Sequence, residues 1–220
     1  SHDLRTPLTS IYGACSAMRD NFDALPRQTH MKLLSDVCAD AQWLVRMVEN
    51  LLSVTRVDAA TVRLSKNGTV LEELIDAVLV KFRKHYPDID VHVEIPEEFV
   101  SIPMDAMLIS QVLMNLLENA VFHAKGMENL LLRVEVKGSW AYFYVEDDGC
   151  GIPEEKLSRL FTGMLDSEAP TDQSRSSMGI GLSVCSAIIK AHGGEIWANK
   201  RAGGGTEVGF RLEMEDENGE

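Results

Sequence analysis

The sequence predicts an α-helical hairpin that pairs with a second copy as a dimeric four-helix bundle, followed by an α/β two-layer sandwich. Three observations carry this reading. Residues 1–60 hold two long stretches with apolar side chains at steps of three and four, separated by a short break. Residues 61–212 mix helical and strand periodicities. Residues 213–220 are a run of acids that packs no core and is expected to be disordered.

In the first stretch Leu4, Leu8, Ile11, Cys15, Met18 and Phe22 form the seam of a bundle helix. His2 lies off that seam, because two residues turn a helix by roughly 200°. The opposite stripe is His2, Thr6, Thr9, Gly13, Ser16 and Asp20, so the imidazole is aimed at solvent or a docking partner. Asp23-Ala24-Leu25-Pro26 breaks the helix, and Leu34, Val37, Ala41, Leu44, Val48, Leu51 and Thr55 make a matching seam, with Val45 and Leu52 beside it. One hairpin has too little core of its own, and a homodimer through the hairpin is the expected consequence.

The pattern stops near Val57, and Lys66-Asn67-Gly68 reads as a turn just inside the second domain. Val70 to Phe82 has helical spacing, Ile89 to Ile95 alternates as a strand, and Asp105 to Ala124 is a long helix. Leu130 to Val136 and Trp140 to Val145 read as strands, Gly179 to His192 as a helix, and Glu195 to Ala198 and Glu207 to Leu212 as the closing strands. The segregation of strands and helices suggests an antiparallel sheet with helices on one face.

Composition narrows the function. A net charge of −13 argues against a nucleic-acid partner. No run approaches the apolar length of a membrane span. Cys15, Cys38, Cys150 and Cys185 have no metal-site spacing and suit a reducing compartment. The chain starts inside a helix, so an upstream part is expected.

Four motifs carry chemistry. In Ser1-His2-Asp3-Leu4-Arg5-Thr6-Pro7-Leu8, a carboxylate at Asp3 can accept the Nδ1 proton of His2, which leaves Nε2 as a nucleophile. Thr6 sits one helical turn on, and Pro7 removes a helical hydrogen bond beside it. In Asn115-Leu116-Leu117-Glu118-Asn119-Ala120, Asn115 and Asn119 share a helix face and can hold a metal ion and phosphate oxygens. Asp147-Asp148-Gly149-Cys150-Gly151-Ile152 follows a strand, where a carboxylate can accept from an exocyclic amine and Gly149 and Gly151 allow close approach. Met178-Gly179-Ile180-Gly181-Leu182-Ser183 opens a helix whose terminal amides suit phosphate, and no Walker lysine follows.

The His2 string resembles the phospho-acceptor box of bacterial sensor histidine kinases, and the other three, in this order, resemble the N box and glycine boxes of the GHKL (Bergerat) ATP-binding domain. Phe161 resembles the F box, and Gly203-Gly204-Gly205-Thr206 the last glycine segment. The resemblance implies a protein-histidine kinase using ATP and Mg²⁺, with His2 phosphorylated and the group passed to a response-regulator receiver domain. By it Asp147 binds the adenine amine, Asn115 and Asn119 serve Mg²⁺ and phosphates, and Gly179 and Gly181 wrap the phosphates, with Gly149, Gly151, Phe161, Leu182 and Thr206 lining the site. It gives Thr6 a part in regulator dephosphorylation and makes Thr162 to Ser177 a lid. It also implies the cytoplasmic portion of a sensor anchored in the inner membrane, and the His2 and N boxes look like those of the potassium- and osmosensing branch.

Two stretches depart from the pattern. Phe122 and His123 stand where the N box continues with Lys and then Tyr or Phe, so a phosphate-contacting cation is missing, with Lys125 and Arg175 as possible replacements. Ser177 stands where the second glycine box starts with Gly. The alternative functions are a clamp ATPase of the same superfamily and a dimeric scaffold without kinase activity. The clamp enzymes activate water with a glutamate at the position of Asn115, which speaks against the first.

Overall fold

A computed structural model describes residues 2–58, 64–157, 160, 161 and 178–214, with side chains left aside at 2–4, 43, 46, 47, 49–58 and 178–180. The predicted lid at 162–177 and residues 215–220 of the acidic tail lie outside the described residues, as does 59–63 beside the predicted domain boundary. The chain divides into two compact units, residues 1–52 and 53–220.

The first unit is helical. Helix α1 (His2–Asp20) ends in a turn at 21–25, and α2 (Arg27–Asp58) follows after Pro26. Pro26 has no N–H to lose at the head of a helix, and its carbonyl accepts from Thr29 and His30. Pro7 is buried within α1. On the predicted seams, Leu8, Phe22, Leu34 and Val48 are exposed at 55%, 70%, 47% and 47% in the single chain.

The second unit is a two-layer α/β sandwich. Its strands are β1 (Asn67–Val70), β2 (Val91–Glu94), β3 (Ser101–Met104), β4 (Leu130–Lys137), β5 (Trp140–Asp147), β6 (Glu195–Lys200) and β7 (Thr206–Glu213). Its helices are α3 (Leu71–His85), α4 (Ala106–His123), the short α5 (Glu154–Leu157) and α6 (Met178–Ala191). The main sheet runs β2-β4-β5-β7-β6, and β1 pairs separately with β3.

Local chemistry fixes the long helices. Asp105 caps α4, its Oδ1 accepting from the Met107 and Leu108 amides at 3.2 Å each. Glu72 and Glu73 open α3, and Arg83, Lys84 and His85 close it, matching the helix dipole. The apolar faces of α3, α4 and α6 cover one face of the sheet. Phe82, Val112, Leu113, Leu117, Ile188 and Phe210 are fully buried there, and Phe143 stacks on Phe210 with ring centroids 4.6 Å apart. The other face carries the alternate residues: Arg133 and Glu135 on β4, Tyr142 and Tyr144 on β5, and Trp197 over Gly209.

The structure corrects two sequence readings. Asn67-Gly68 is not a turn but the start of β1, paired with Met104 and Pro103. The sheet is mixed, because β2 runs parallel to β4 while its other pairs are antiparallel. The connection from β2 to β4 passes through β3 and α4, and a crossover of that length returns the chain in the same direction. Strand β7 continues through Glu213, the first residue assigned to the tail.

Candidate functional site

Asp147 ends β5 and is 6% exposed. Its Oδ1 accepts the Gly149 amide at 3.0 Å. Burial pushes its carboxyl above the usual range, and backbone hydrogen bonds from Gly149 and Thr206 pull it back. Thr206 is itself buried at the start of β7. The segment before it lies directly on Asp147: Gly205 has φ +90°, and a Cβ there would sit 1.9 Å from the Asp147 carbonyl oxygen. A Cβ on Gly151 would meet the Gly205 oxygen at 3.1 Å. The acidic-glycine loop and the last glycine segment are therefore packed together around one buried carboxylate.

The same loop grips the end of α4. A Cβ on Gly149 would lie 2.7 Å from the Ala124 backbone, and the Cys150 amide donates to the Lys125 carbonyl at 3.0 Å. Asp148, the neighbour of the predicted ligand, accepts from the Glu128 and Asn129 amides at 2.8 and 2.9 Å and from the Asn129 side chain at 2.6 Å. These bonds hold its carboxyl down at about 2. Sequence reasoning gave Asp148 no role; the only signal was the doubled aspartate.

On α4 the two asparagines differ. The Asn115 amide donates to Cys185 Sγ on α6 at 3.8 Å, and burial pushes that thiol up to about 12, so it is an inert packing partner. Among the described residues Asn119 Nδ2 is buried with no hydrogen-bond partner. One turn on, His123 Nε2 is also buried and unpartnered, and burial lowers its pKa, favouring neutral imidazole. Two orphaned polar atoms at i and i+4 on the helix that Asp147's loop grips are what a polar ligand would satisfy. His123 therefore joins the candidate site, where the sequence had marked it only as a departure.

Gly179 and Gly181 fall in the first turns of α6, and Leu182 is buried behind them. Phe161 is half-buried against the core beside fully buried Leu160. Thr6 is exposed on α1; His2 and Asp3 lie in its first turn, with side chains outside the described set. Among the described residues no three His, Cys, Asp or Glu side chains group as a metal site. Asn115 and Asn119 carry side-chain amide oxygens one turn apart on α4, a donor type compatible with a hard cation that also takes water and phosphate oxygens.

Residues 104–216, just over half of the chain, match the family described as histidine kinase-, DNA gyrase B-, and HSP90-like ATPase, and residues 1–60 match the His Kinase A (phospho-acceptor) domain. The chain belongs to the histidine kinases. Among curated relatives of this histidine kinase chain, sensor protein KdpD of Clostridium acetobutylicum is 33% identical over 216 residues, covering 98% of this chain and 24% of the relative. Sensor protein SrrB of Staphylococcus aureus is 29% identical over 215 residues, covering 96% of this chain and 36% of the relative. The chain thus spans about a quarter to a third of the length of these relatives. Histidine kinase ThkA, solved in complex with response regulator protein TrrA, superposes with a TM-score of 0.76 at 25% identity, covering 99% of this chain and 60% of that one. Histidine kinase AdeS of Acinetobacter baumannii shares the fold, with a TM-score of 0.71 at 24% identity over 98% of this chain and 99% of that one. No described helix is long and apolar enough to cross a membrane.

Proposed function

We propose that this chain is the catalytic core of a sensor kinase that uses Mg²⁺ and ATP to phosphorylate His2. The observation that carries the reading is the buried Asp147 carboxylate enclosed by two glycine segments, whose loop grips the helix bearing the orphaned Asn119 amide. Asp147 accepts from the adenine amine, and Asn115, Asn119 and His123, on successive turns of α4, line the phosphate end, where Asn115 and Asn119 would hold Mg²⁺. Gly149, Gly151 and Thr206 shape the adenine end, while Gly179, Gly181 and Leu182 form the phosphate end and Phe161 packs beside it. Mg²⁺ held there would neutralise phosphate charge, a contribution on which phosphoryl transfer depends.

Asp3 holds the Nδ1 proton of His2, and Nε2 bonds to the γ-phosphorus as its bond to the β,γ-bridging oxygen breaks and ADP leaves. Phosphohistidine then passes the group to an aspartate of a receiver domain docked across the His2, Thr6 and Thr9 face, and Thr6 positions water for regulator dephosphorylation. The relative solved with its response regulator supports such a partner. The exposed apolar seams of the hairpin support a homodimer. The similarity to sensor protein KdpD supports the potassium- and osmosensing branch, and relatives that are sensor proteins support a membrane anchor elsewhere in the full protein. The match of residues 1–60 to the phospho-acceptor domain supports a first domain with those bounds, followed by an ATP-binding domain at 61–212.

Calorimetry with the non-hydrolysable analogue AMPPNP and Mg²⁺ tests the site. Binding that weakens by about 1 to 3 kcal/mol in Asp147→Asn, where a donor can replace the acceptor facing adenine, is the expected result. Unchanged affinity would move adenine recognition elsewhere, and no binding by the unmutated chain would favour the scaffold alternative.

A further inference from the structure

We infer that His192 is a positioning residue for the nucleotide site, setting the register of α6 along α4 from the end remote from the phosphates. The inference rests on the nucleotide reading above and assigns a role to a residue no motif included.

His192 is 3% exposed at the end of α6. Its Nε2 accepts the backbone N–H of Asp105 at 3.1 Å, and its Nδ1 lies 2.8 Å from the Ile188 carbonyl. An amide can only donate and a carbonyl can only accept, so both contacts are satisfied by one state alone, the neutral ring with its proton on Nδ1. The His192 carbonyl accepts from Lys66 Nζ at 3.1 Å. One residue therefore joins the end of α6, the cap of α4 and the segment leading into β1.

A second tie shows what the first controls. Asn115 meets Cys185, whose Sγ also lies 4.0 Å from the Val112 carbonyl. From Asp105 to Asn115 the contacts advance along α4 while they retreat along α6 from His192 to Cys185, so the two helices are antiparallel. Four residues beyond Asn115 is Asn119, and four residues before Cys185 is Gly181. The register thus directs the glycine end of α6 to the orphaned Asn119 amide, and His192 anchors α6 roughly 16 Å away along its axis.

Without the imidazole acceptor, the Asp105 amide at the head of α4 loses its partner and α6 loses its fixed end. Protonation has the same consequence, since Nε2–H would oppose the Asp105 N–H. Burial is the largest influence on the ring and lowers its pKa, Lys66 acts in the same direction, and together they outweigh the Ile188 carbonyl and Asp105, which favour the imidazolium. The neutral tie is complete at and above the ordinary histidine value of 6.5 and is lost only as pH falls through the lower value that the folded protein imposes.

The test measures Mg²⁺–AMPPNP affinity from about pH 8 to 5.5 for the unmutated chain, His192→Gln and His192→Ala, with amide exchange at Gly179 and Gly181 in the ligand-free proteins. Gln offers the Asp105 amide a carbonyl that does not titrate. It is expected to bind within about threefold of the unmutated chain at the upper pH and to lose less affinity on acidification, while Ala binds about tenfold more weakly and exchanges faster at Gly179 and Gly181. His123 titrates in both the Gln variant and the unmutated chain, so the difference between them isolates His192. Unmutated affinity and exchange in a folded Ala variant would overturn the proposal, as would parallel pH profiles for Gln and the unmutated chain. If Ala does not fold, the Gln comparison decides. Failure of the unmutated chain to bind at any pH would remove the nucleotide reading, and exchange in the Gln variant across the same pH range would then decide the role of His192.

Discussion

Asp147 is held in a position that costs stability in the absence of ligand. Burial raises its pKa above the ordinary carboxyl value of 3.8, so the folded protein binds more protons than the unfolded chain between those two values, and stability falls as pH rises through that window. Asp147→Asn is therefore expected to leave the ligand-free melting temperature unchanged or higher while abolishing most of the stabilisation that nucleotide gives. A lower ligand-free melting temperature in that variant would mean that the carboxylate is structural. Asp148 behaves in the opposite sense. Its pKa is held down at about 2 by the Asn129 and Glu128 donors, so its contribution is complete above 3.8 and is lost as pH falls from there towards 2. The paired aspartates were legible as a motif, but the division of work between them was not, because the donors to Asp148 come from a loop about twenty residues earlier that only the fold brings near.

At the scale of elements, periodicity identified the long helices and the main strands, because each presents one apolar face to a single core. Strand β1 was misread, since its Asn-Gly is common in turns and its pairing with Pro103 and Met104 leaves no periodic trace in four residues. The parallel direction of β2 was hidden for the same reason: it depends on the crossover through β3 and α4. His192 and Cys185 were invisible because their partners, Asp105 and Asn115, lie on another helix. The core itself makes a quantitative prediction. Phe143→Ala removes a fully buried ring stacked on Phe210 and is expected to cost about 3 to 5 kcal/mol in denaturant unfolding of the second unit. Gly205→Ala should disturb the site, because its Cβ would collide with the Asp147 carbonyl; nucleotide affinity equal to the unmutated chain would contradict the packing described.

For the whole molecule, the account requires two copies. Leu34 and Val48 expose apolar side chains on a seam that one hairpin cannot cover. Leu34→Glu with Val48→Glu is expected to convert a dimer to a monomer in sedimentation while Mg²⁺–AMPPNP binding persists; an unchanged sedimentation coefficient would place the dimer contact elsewhere. Thr6→Ala should separate two activities, leaving autophosphorylation within a few-fold and slowing regulator dephosphorylation on the order of 10²-fold. The most direct measurement is transfer itself. Incubation of the chain with γ-labelled ATP and Mg²⁺ is expected to give an adduct that is labile to acid, stable to base and absent from His2→Gln. Label that persists in His2→Gln, or an adduct stable to acid, would contradict phosphorylation of His2.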